Sequence, residues 1–153
     1  MFRTGKGVMA ACFLCCCIGC PKSGLLVAVQ VTDAGPLDLG VMSELEGVAQ
    51  SDGLVVIRER EPGAFEGEIV SSYARQMSAE AHDVLTVRII WATKGSPHAL
   101  LTVAVQNRLH GKDPSRRLYL EAVAQRFYDV LEKRFGRQNV RVERQMLSEL
   151  ASM

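Results

Sequence analysis

Apolar and polar residues alternate most regularly along two segments in the middle of the chain. The apolar positions are Leu85, Val87, Ile89 and Trp91 in the first segment and Ala99, Leu101, Val103 and Val105 in the second. A period of two is that of a strand with one buried face. The residues between the segments, Lys94–Pro97, include the turn formers Gly95 and Ser96. The pattern therefore predicts an antiparallel hairpin.

Two runs, at 25–31 and 54–57, are apolar on both faces except for Gln30, and they predict strands that are buried on both faces. Between them apolar residues recur every three or four positions, which is the period of a helix with one buried stripe. The stripe consists of Leu37, Val41, Leu45 and Val48. Pro36 fits the first helical turn, and Gly53 fits the end of the helix. Strand, helix and strand in this order predict two parallel strands joined by a right-handed crossover.

The segment 65–77 has two interpretations. Its large apolar residues, Phe65, Ile69, Tyr73 and Met77, recur every four positions, and charged residues lie between them. A strand would account for the segment only as far as Tyr73, whereas a helix accounts for the whole of it. The sequence therefore favours a helix here and leaves a strand as the alternative.

A long helix is predicted to follow the hairpin. Asp113 can cap it with Pro114 at its first position, and Gly136 ends it. Its predicted buried side consists of Tyr119, Val123, Phe127, Leu131 and Phe135. Residues 140–142 are expected to add an edge strand, and residues 145–153 are expected to fray.

The predicted order is β-α-β-α-β-β-α-(β), an α/β (α+β) fold in which helices pack on a mixed sheet of four to five strands. The chain has 153 residues, of which 48% are hydrophobic, so a single domain is expected, with bounds at 25–144.

The first twenty residues are predicted to direct the chain to a membrane. Arg3 and Lys6 precede an uncharged run of 11 residues from Val8 to Ile18, which is too short to span a bilayer. The run ends in Gly19 and Cys20, a small residue before a cysteine, and so resembles the lipobox of bacterial lipoproteins.

The lipobox resemblance implies that residues 1–19 are a signal peptide removed before Cys20. It also implies that Cys20 is acylated on its sulfur and its new amino group, and that residues 20–24 form the lipidated anchor and a short tether. Pro21 rather than Asp follows the cysteine, which in enterobacterial relatives is associated with the outer membrane. The alternatives are a cleaved signal peptide without lipid and a palmitoylated tail in a eukaryote.

All five cysteines lie within the first twenty residues, which excludes disulfides and thiolate metal sites from the rest of the chain. Without residues 1–19 the formal net charge is −1, which argues against nucleic acid as a partner.

Charge is unevenly distributed along the body. Residues 21–107 carry a net charge of −5, whereas residues 108–144 carry +5. Most of the positive excess falls on the predicted last helix and its flanks. This predicts a basic face for an acidic protein partner or an anionic lipid or glycan, formed by Arg116, Arg117, Arg126, Lys133, Arg134 and Arg137.

The sequence contains no motif for a nucleophile elbow, a phosphate-binding loop, a zinc-protease helix or a dinucleotide site. The three histidines, His82, His98 and His110, lack the spacing of a metal site. We therefore predict no catalytic residue, no metal and no cofactor, and a protein that is not an enzyme.

The body resembles one group of envelope lipoproteins. The resemblance covers residues 25–110 and rests on Ile69-Val70-Ser71-Ser72-Tyr73-Ala74-Arg75-Gln76, on Ala81-His82-Asp83-Val84-Leu85 and on the hairpin through Leu101-Thr102-Val103. The group comprises the penicillin-binding-protein activator lipoproteins and the amino-terminal domains of the curli-export lipoprotein and of TolB. This resemblance implies an accessory or scaffold role in an envelope complex.

The chain is also similar to the outer-membrane lipopolysaccharide-assembly lipoprotein, which has a lipidated cysteine, a short tether and a carboxy-terminal helix. That resemblance requires a strand over residues 65–76, and a basic surface would suit the phosphates of lipopolysaccharide. The sequence thus predicts a periplasmic lipoprotein, anchored in the outer rather than the inner membrane, whose partner is an envelope protein or an anionic glycolipid.

Overall fold

The structure, a computed structural model, describes residues 24–58, 68–92 and 99–147. These residues form six strands and two α-helices. The strands are β1 (Gly24–Val31), β2 (Val55–Arg58), β3 (Glu68–Gln76), β4 (Val84–Ala92), β5 (Leu100–Asn107) and β6 (Val140–Leu147). The helices are α1 (Leu39–Ser51) and α2 (Pro114–Phe135), and a short 3₁₀ helix, Arg137–Asn139, leads from α2 into β6.

The strands form one antiparallel sheet in the order β2-β3-β4-β5-β1-β6. One face of this sheet packs against both helices, because the inward residues of β1, β4 and β5 and the apolar stripes of α1 and α2 belong to one buried cluster. Val29, Ile89, Val103 and Phe127 are among its fully buried members. The residues that alternate with the buried ones along each strand, such as Thr86 and Ile90, are half-exposed on the opposite face of the sheet. The molecule is therefore a two-layer α+β domain.

The predictions for the hairpin and the last helix are confirmed. β4 pairs antiparallel with β5, with Val87 opposite Val105, while the predicted turn 94–97 lies outside the described residues. α2 begins at Pro114, is capped by Asp113 and ends at Gly136. Its buried residues are Leu120, Val123, Ala124, Phe127 and Leu131, whereas Tyr119 and Phe135 of the predicted stripe are partly buried.

The prediction of a helix over 65–77 is wrong, because residues 68–76 form strand β3. β3 pairs along its whole length with β4, and the register shifts between Ile69 and Ser71, which marks a β-bulge. The strand alternative is the one that the fold adopts. Residues 65–67, where the predicted helix would begin, lie outside the described residues.

The predicted parallel pair of strands is also wrong. β1 and β2 run in the same direction, but β3, β4 and β5 lie between them. The sheet has six strands and is entirely antiparallel, where a mixed sheet of four to five was expected. Two short apolar runs indicate that both strands are buried or paired, but their pattern does not identify the neighbour of either.

Two element boundaries differ from the sequence prediction. α1 begins at Leu39 with Asp38 as its cap, so Leu37 precedes the helix and is exposed. The strand expected at 140–142 is present on the edge of the sheet and continues to Leu147, past the predicted domain boundary at residue 144.

Candidate functional site

Gly24, the first residue that the structure describes, begins β1 between its neighbours β5 and β6. We call this end of the sheet the entry end, and the end where β1 finishes at Val31 the far end. A Cβ added to Gly24 would stand 2.6 Å from the carbonyl oxygen of Asn107 and 2.7 Å from Cα of Arg108. A Cβ added to Gly111 would stand 2.6 Å from the carbonyl oxygen of Gly24. Residues 108–112, the entry loop, therefore lie directly against the amino end of β1.

A buried carboxylate, Asp83, joins three elements at the entry end. Its side chain is fully buried, and Oδ1 accepts a hydrogen bond of 2.8 Å from Nδ2 of Asn107 at the end of β5. Oδ2 accepts a hydrogen bond of 2.6 Å from Nη2 of Arg116 in the first turn of α2. Both oxygens of the carboxylate are thus bonded, as burial of a charge requires. We call Asp83, Asn107 and Arg116 the Asp83 network.

The ionised form of Asp83 is favoured in the folded protein. Burial by itself would raise the pKa of its carboxyl group, but hydrogen bonds from Ser78, Asn107 and Arg116 and the charge of Arg116 outweigh burial. The net effect lowers the pKa of Asp83 below its ordinary value of 3.8. Asp83 is therefore a permanent anion at neutral pH.

Asn107 connects the buried carboxylate to the entry loop. While its amide nitrogen donates to Asp83, its oxygen Oδ1 accepts hydrogen bonds from the backbone N–H groups of Leu109, at 2.9 Å, and His110, at 3.0 Å. The Asn107 side chain is fully buried, so water does not compete for these bonds. The conformation of the entry loop is thereby fixed by the Asp83 network.

Of the three histidines, His110 has a side chain that lies close to the Asp83 network. Nε2 of His110 lies 3.0 Å from Oε2 of Glu80 and 3.9 Å from Oδ2 of Asp83, and about a third of its side chain is exposed. His82 is exposed, and His98 lies outside the described residues. Within the described ranges no group of three or more His, Cys, Asp or Glu side chains has the arrangement of a metal site.

The entry loop begins and ends with a cationic residue, Arg108 and Lys112, and a third, Arg117, follows near the start of α2. All three are exposed, and none belongs to an ion pair among the described residues. Asp113 lies between them in sequence, and its carboxylate accepts a hydrogen bond from the backbone N–H of Ser115 as the cap of α2. The Ser115 hydroxyl also donates to this carboxylate at 3.0 Å, and the two hydrogen bonds from Ser115 lower the pKa of Asp113.

The six residues of the predicted basic face are spread along a helix of 22 residues, about 33 Å in length, and its flank. Four of them have acidic partners: Arg116 with Asp83, Arg126 with Asp52, Arg134 with Asp38 and Glu44, and Arg137 with Glu132. Arg117 and Lys133 have no ion pair among the described residues. Arg117 lies at the entry end and Lys133 near the far end. The six residues are thus distributed along α2 and its flank, with Arg116 and Arg117 at the entry end, Lys133, Arg134 and Arg137 near the far end and Arg126 between them.

The far end carries a shallow groove of about 530 Å³ between the start of α1 and the end of α2. Pro36, Leu37, Leu39 and Phe135 contribute its apolar lining. Its charged side is Arg134, whose guanidinium lies 3.3 Å from Asp38 and 3.5 Å from Glu44. The loop before α1 is held in place by the indole N–H of Trp91, which donates to the carbonyl oxygen of Gly35 at 2.9 Å.

Sequence reasoning did not identify the Asp83 network, although one signal pointed to it. Asn107 continues the alternation of Leu101, Val103 and Val105, so its side chain falls on the buried face of β5. A polar residue at such a position must find a buried partner. Leu85 is paired with Asn107 across the two strands. Asp83 is two positions before Leu85 and is therefore expected on the same buried face.

Cys20 and the predicted signal peptide 1–19 lie outside the described residues. Neither of the two described helices combines the length and apolar character of a membrane-spanning segment. The chain matches no known family model and no curated protein.

Proposed function

We propose that this protein is a bacterial lipoprotein, anchored by Cys20 on the periplasmic side of the outer membrane, whose domain is a non-enzymatic accessory of an envelope complex. The observation that carries the proposal is the position of Gly24. It begins a strand inside the sheet only four residues after Cys20, which leaves almost no free tether.

The short tether sets where the domain would stand. Four residues span at most about 14 Å when fully extended. Acyl chains on Cys20, which contribute about 0.8 kcal/mol for each buried methylene, would hold the entry end of the sheet at the membrane surface. The far end, with its apolar groove, would then face away from the membrane towards soluble or membrane-attached partner proteins.

A structural role accounts for the buried charge of the domain. Asp83 uses both oxygens to hold Asn107 and Arg116, and Asn107 in turn holds the entry loop. These bonds fix the relative positions of β4, β5 and α2. This supports a domain that binds and positions a partner through its surface.

A second candidate function is binding of an anionic glycolipid, as in the lipopolysaccharide-assembly lipoprotein. The observation that favours it is strand β3, because that resemblance needs an extended segment where the activator-like resemblance needs a helix. The two candidates share the anchor and differ in the partner.

The anchor is tested by labelling cells with radioactive palmitate. We expect label on the wild-type chain and on Cys17→Ala, the matched control at a neighbouring cysteine, and none on Cys20→Ala. Equal labelling of wild type and Cys20→Ala would overturn the proposed function. Mass spectrometry of the native chain should also find Cys20 as its first residue.

The partner is tested by crosslinking in cells followed by purification of the anchored chain. An envelope protein that crosslinks from a photoreactive residue at position 39, beside the far-end groove, supports the accessory role. Lipopolysaccharide that co-purifies stoichiometrically, with no crosslinked protein, would support the second candidate instead.

A further inference from the structure

We propose that Arg108, Lys112 and Arg117 form a docking surface for the phosphate groups of anionic lipids in the membrane that holds the anchor. We call these three residues the head-group surface. This inference rests on the proposed function and deepens it, since it states which face of the domain meets the membrane and by what chemistry.

The head-group surface lies beside the amino end of β1. The backbone of Arg108 is packed so closely against Gly24 that not even a methyl group fits between them. Gly111, the neighbour of Lys112, also packs against the backbone of Gly24. Both charged residues therefore lie beside Gly24, the described residue nearest in sequence to Cys20. A tether of four residues holds Gly24 within about 14 Å of Cys20, so both residues stay near the head-group region, which is about 5–8 Å deep on each side of the bilayer.

The positive charges of the head-group surface differ from those of the other arginines on α2. The other arginines of α2, Arg116, Arg126 and Arg134, are compensated by Asp83, Asp52 and Asp38. The three residues of the head-group surface have no such ion pair among the described residues. The acids of the neighbouring segments already have partners. Asp83 binds Arg116, Glu80 contacts His110, Asp113 caps α2 and Glu121 binds Arg144. The entry end thus presents a local excess of positive charge although the body as a whole is nearly neutral.

The backbone that carries the head-group surface is held in place by hydrogen bonds. The entry loop is held by the bonds from Leu109 and His110 to the buried side chain of Asn107, and by a backbone bond from Asp113 to the carbonyl of His110 at 3.1 Å. Arg117 is held by the first turn of α2, where its backbone N–H donates to Asp113 at 2.9 Å. Charges on a fixed backbone lose less conformational entropy on binding than charges on a flexible tail.

A basic surface strengthens the membrane binding of a lipid-anchored protein. One basic residue close to an anionic surface contributes roughly a fivefold gain in binding, so three contribute about a hundredfold. We expect this gain to disappear at high salt, because the interaction is exposed to solvent. The surface would also fix the tilt of the domain and so direct the far-end groove away from the bilayer.

The test uses the mature native lipoprotein with one added cysteine for a fluorophore, which is possible because all native cysteines lie at or before the acylated Cys20. Leu118→Cys places the label at the entry end and Leu39→Cys at the far end; both positions are well exposed. The protein is reconstituted into vesicles of phosphatidylcholine alone or with phosphatidylglycerol, each containing a lipid with a nitroxide on its head group.

We expect quenching of the label at position 118 to be stronger in the vesicles that contain phosphatidylglycerol, and the label at position 39 to be little quenched in either. The triple variant Arg108→Glu, Lys112→Glu, Arg117→Glu should lose the difference, and the neutral triple variant to Gln should lose most of it. The matched control is Lys133→Glu with Arg137→Glu, which reverses two exposed charges beyond the entry end and should behave as wild type.

Flotation of the same samples separates the two proposals. Protein that floats with both kinds of vesicle but shows equal quenching at position 118 overturns the head-group surface and leaves the anchor intact. Protein that floats only with anionic vesicles supports the head-group surface and overturns the anchor. Protein that floats with neither overturns both.

Discussion

The entry end and the far end of the domain use ionic groups in opposite ways. At the entry end Asp83 is fully buried and bonded to Arg116, most of which is also buried. At the far end Arg134 is shared by Asp38 and Glu44, and all three side chains are between 43% and 49% exposed. One end thus contains a buried ion pair that spans two elements, and the other contains a loose surface cluster.

This difference indicates what each end contributes. A buried ion pair adds little net stability, yet removal of one partner is costly because the other charge stays buried alone. A surface ion pair contributes between about 0.2 and 1 kcal/mol. We infer that the entry end is sensitive to substitution and fixes the shape of the loop near the anchor. The far end tolerates change and is free to adapt to a partner.

The largest effect is expected for Asp83→Ala. It leaves Arg116 and Asn107 without their acceptor, and we expect a loss of about 3 kcal/mol in the free energy of unfolding, the lower part of the range because Arg116 keeps some contact with water. Urea unfolding followed by circular dichroism measures it. Glu44→Ala at the far end is the matched control and should change stability very little. Equal losses for the two variants would contradict the contrast between the ends.

Gly111→Ala is expected to have the next largest effect. The added methyl group would press against the backbone of Gly24, and overpacking of this kind costs about 1–3 kcal/mol. Gly47→Ala serves as its control, because position 47 lies in α1 with open space around the new Cβ. That substitution should stabilise the protein by about 0.5–1 kcal/mol through helix propensity. A Gly111→Ala variant as stable as wild type would show that the entry loop can move away from β1.

A smaller effect is expected for Arg134→Ala at the far end. Its two contacts are solvent-exposed and longer than 3.2 Å, so their loss should cost between about 0.2 and 1 kcal/mol. The cost should decrease further in high salt because exposed charges are screened. A loss as large as that of Asp83→Ala would mean that the far-end cluster is part of the core of the fold.

The smallest effect on stability is expected from acid, at pH values below 3.8. The pKa of Asp83 is lowered from 3.8, so its carboxylate stays ionised in the folded protein, and its contribution to stability is complete above pH 3.8. The contribution is lost as the pH falls below 3.8 through the lower pKa of the folded state. Wild type should therefore lose stability in that window faster than Asp83→Asn, which has no carboxyl group to titrate at this position. Parallel pH profiles of the two proteins would contradict the assignment of Asp83.

The segment 65–77 shows why the sequence could not decide between helix and strand there. Ile69, Tyr73 and Met77 are spaced by four, and four positions return to the same face both in a helix of period 3.6 and in a strand of period 2. In the structure β3 is paired with β4 along its length, and the bulge after Ile69 changes the face on which later residues lie. Pairing with a neighbour, which is not encoded in local spacing, determined the outcome.

Some features of the candidate site could likewise be predicted from the sequence, and others depend on the fold. The cap at Asp113, the helix after Pro114 and the excess of positive charge after residue 107 could all be predicted from the sequence. The partners of those charges could not, because Arg116 and Asp83 are 33 positions apart and Arg134 and Asp38 are 96 apart. Only the fold decided which cations are compensated and which, such as Arg117, remain exposed at the entry end.

The sequence by itself determined the elements whose signals are local: the hairpin of β4 and β5, both ends of α2 and the edge strand β6. Alternation, caps and turn residues act within a few positions, so they specify such elements directly. The tertiary structure decided the order of the strands, which places β1 between β5 and β6. Several apolar strands could bury their surface equally well beside one another, and only the packing of the whole sheet against both helices selects one arrangement.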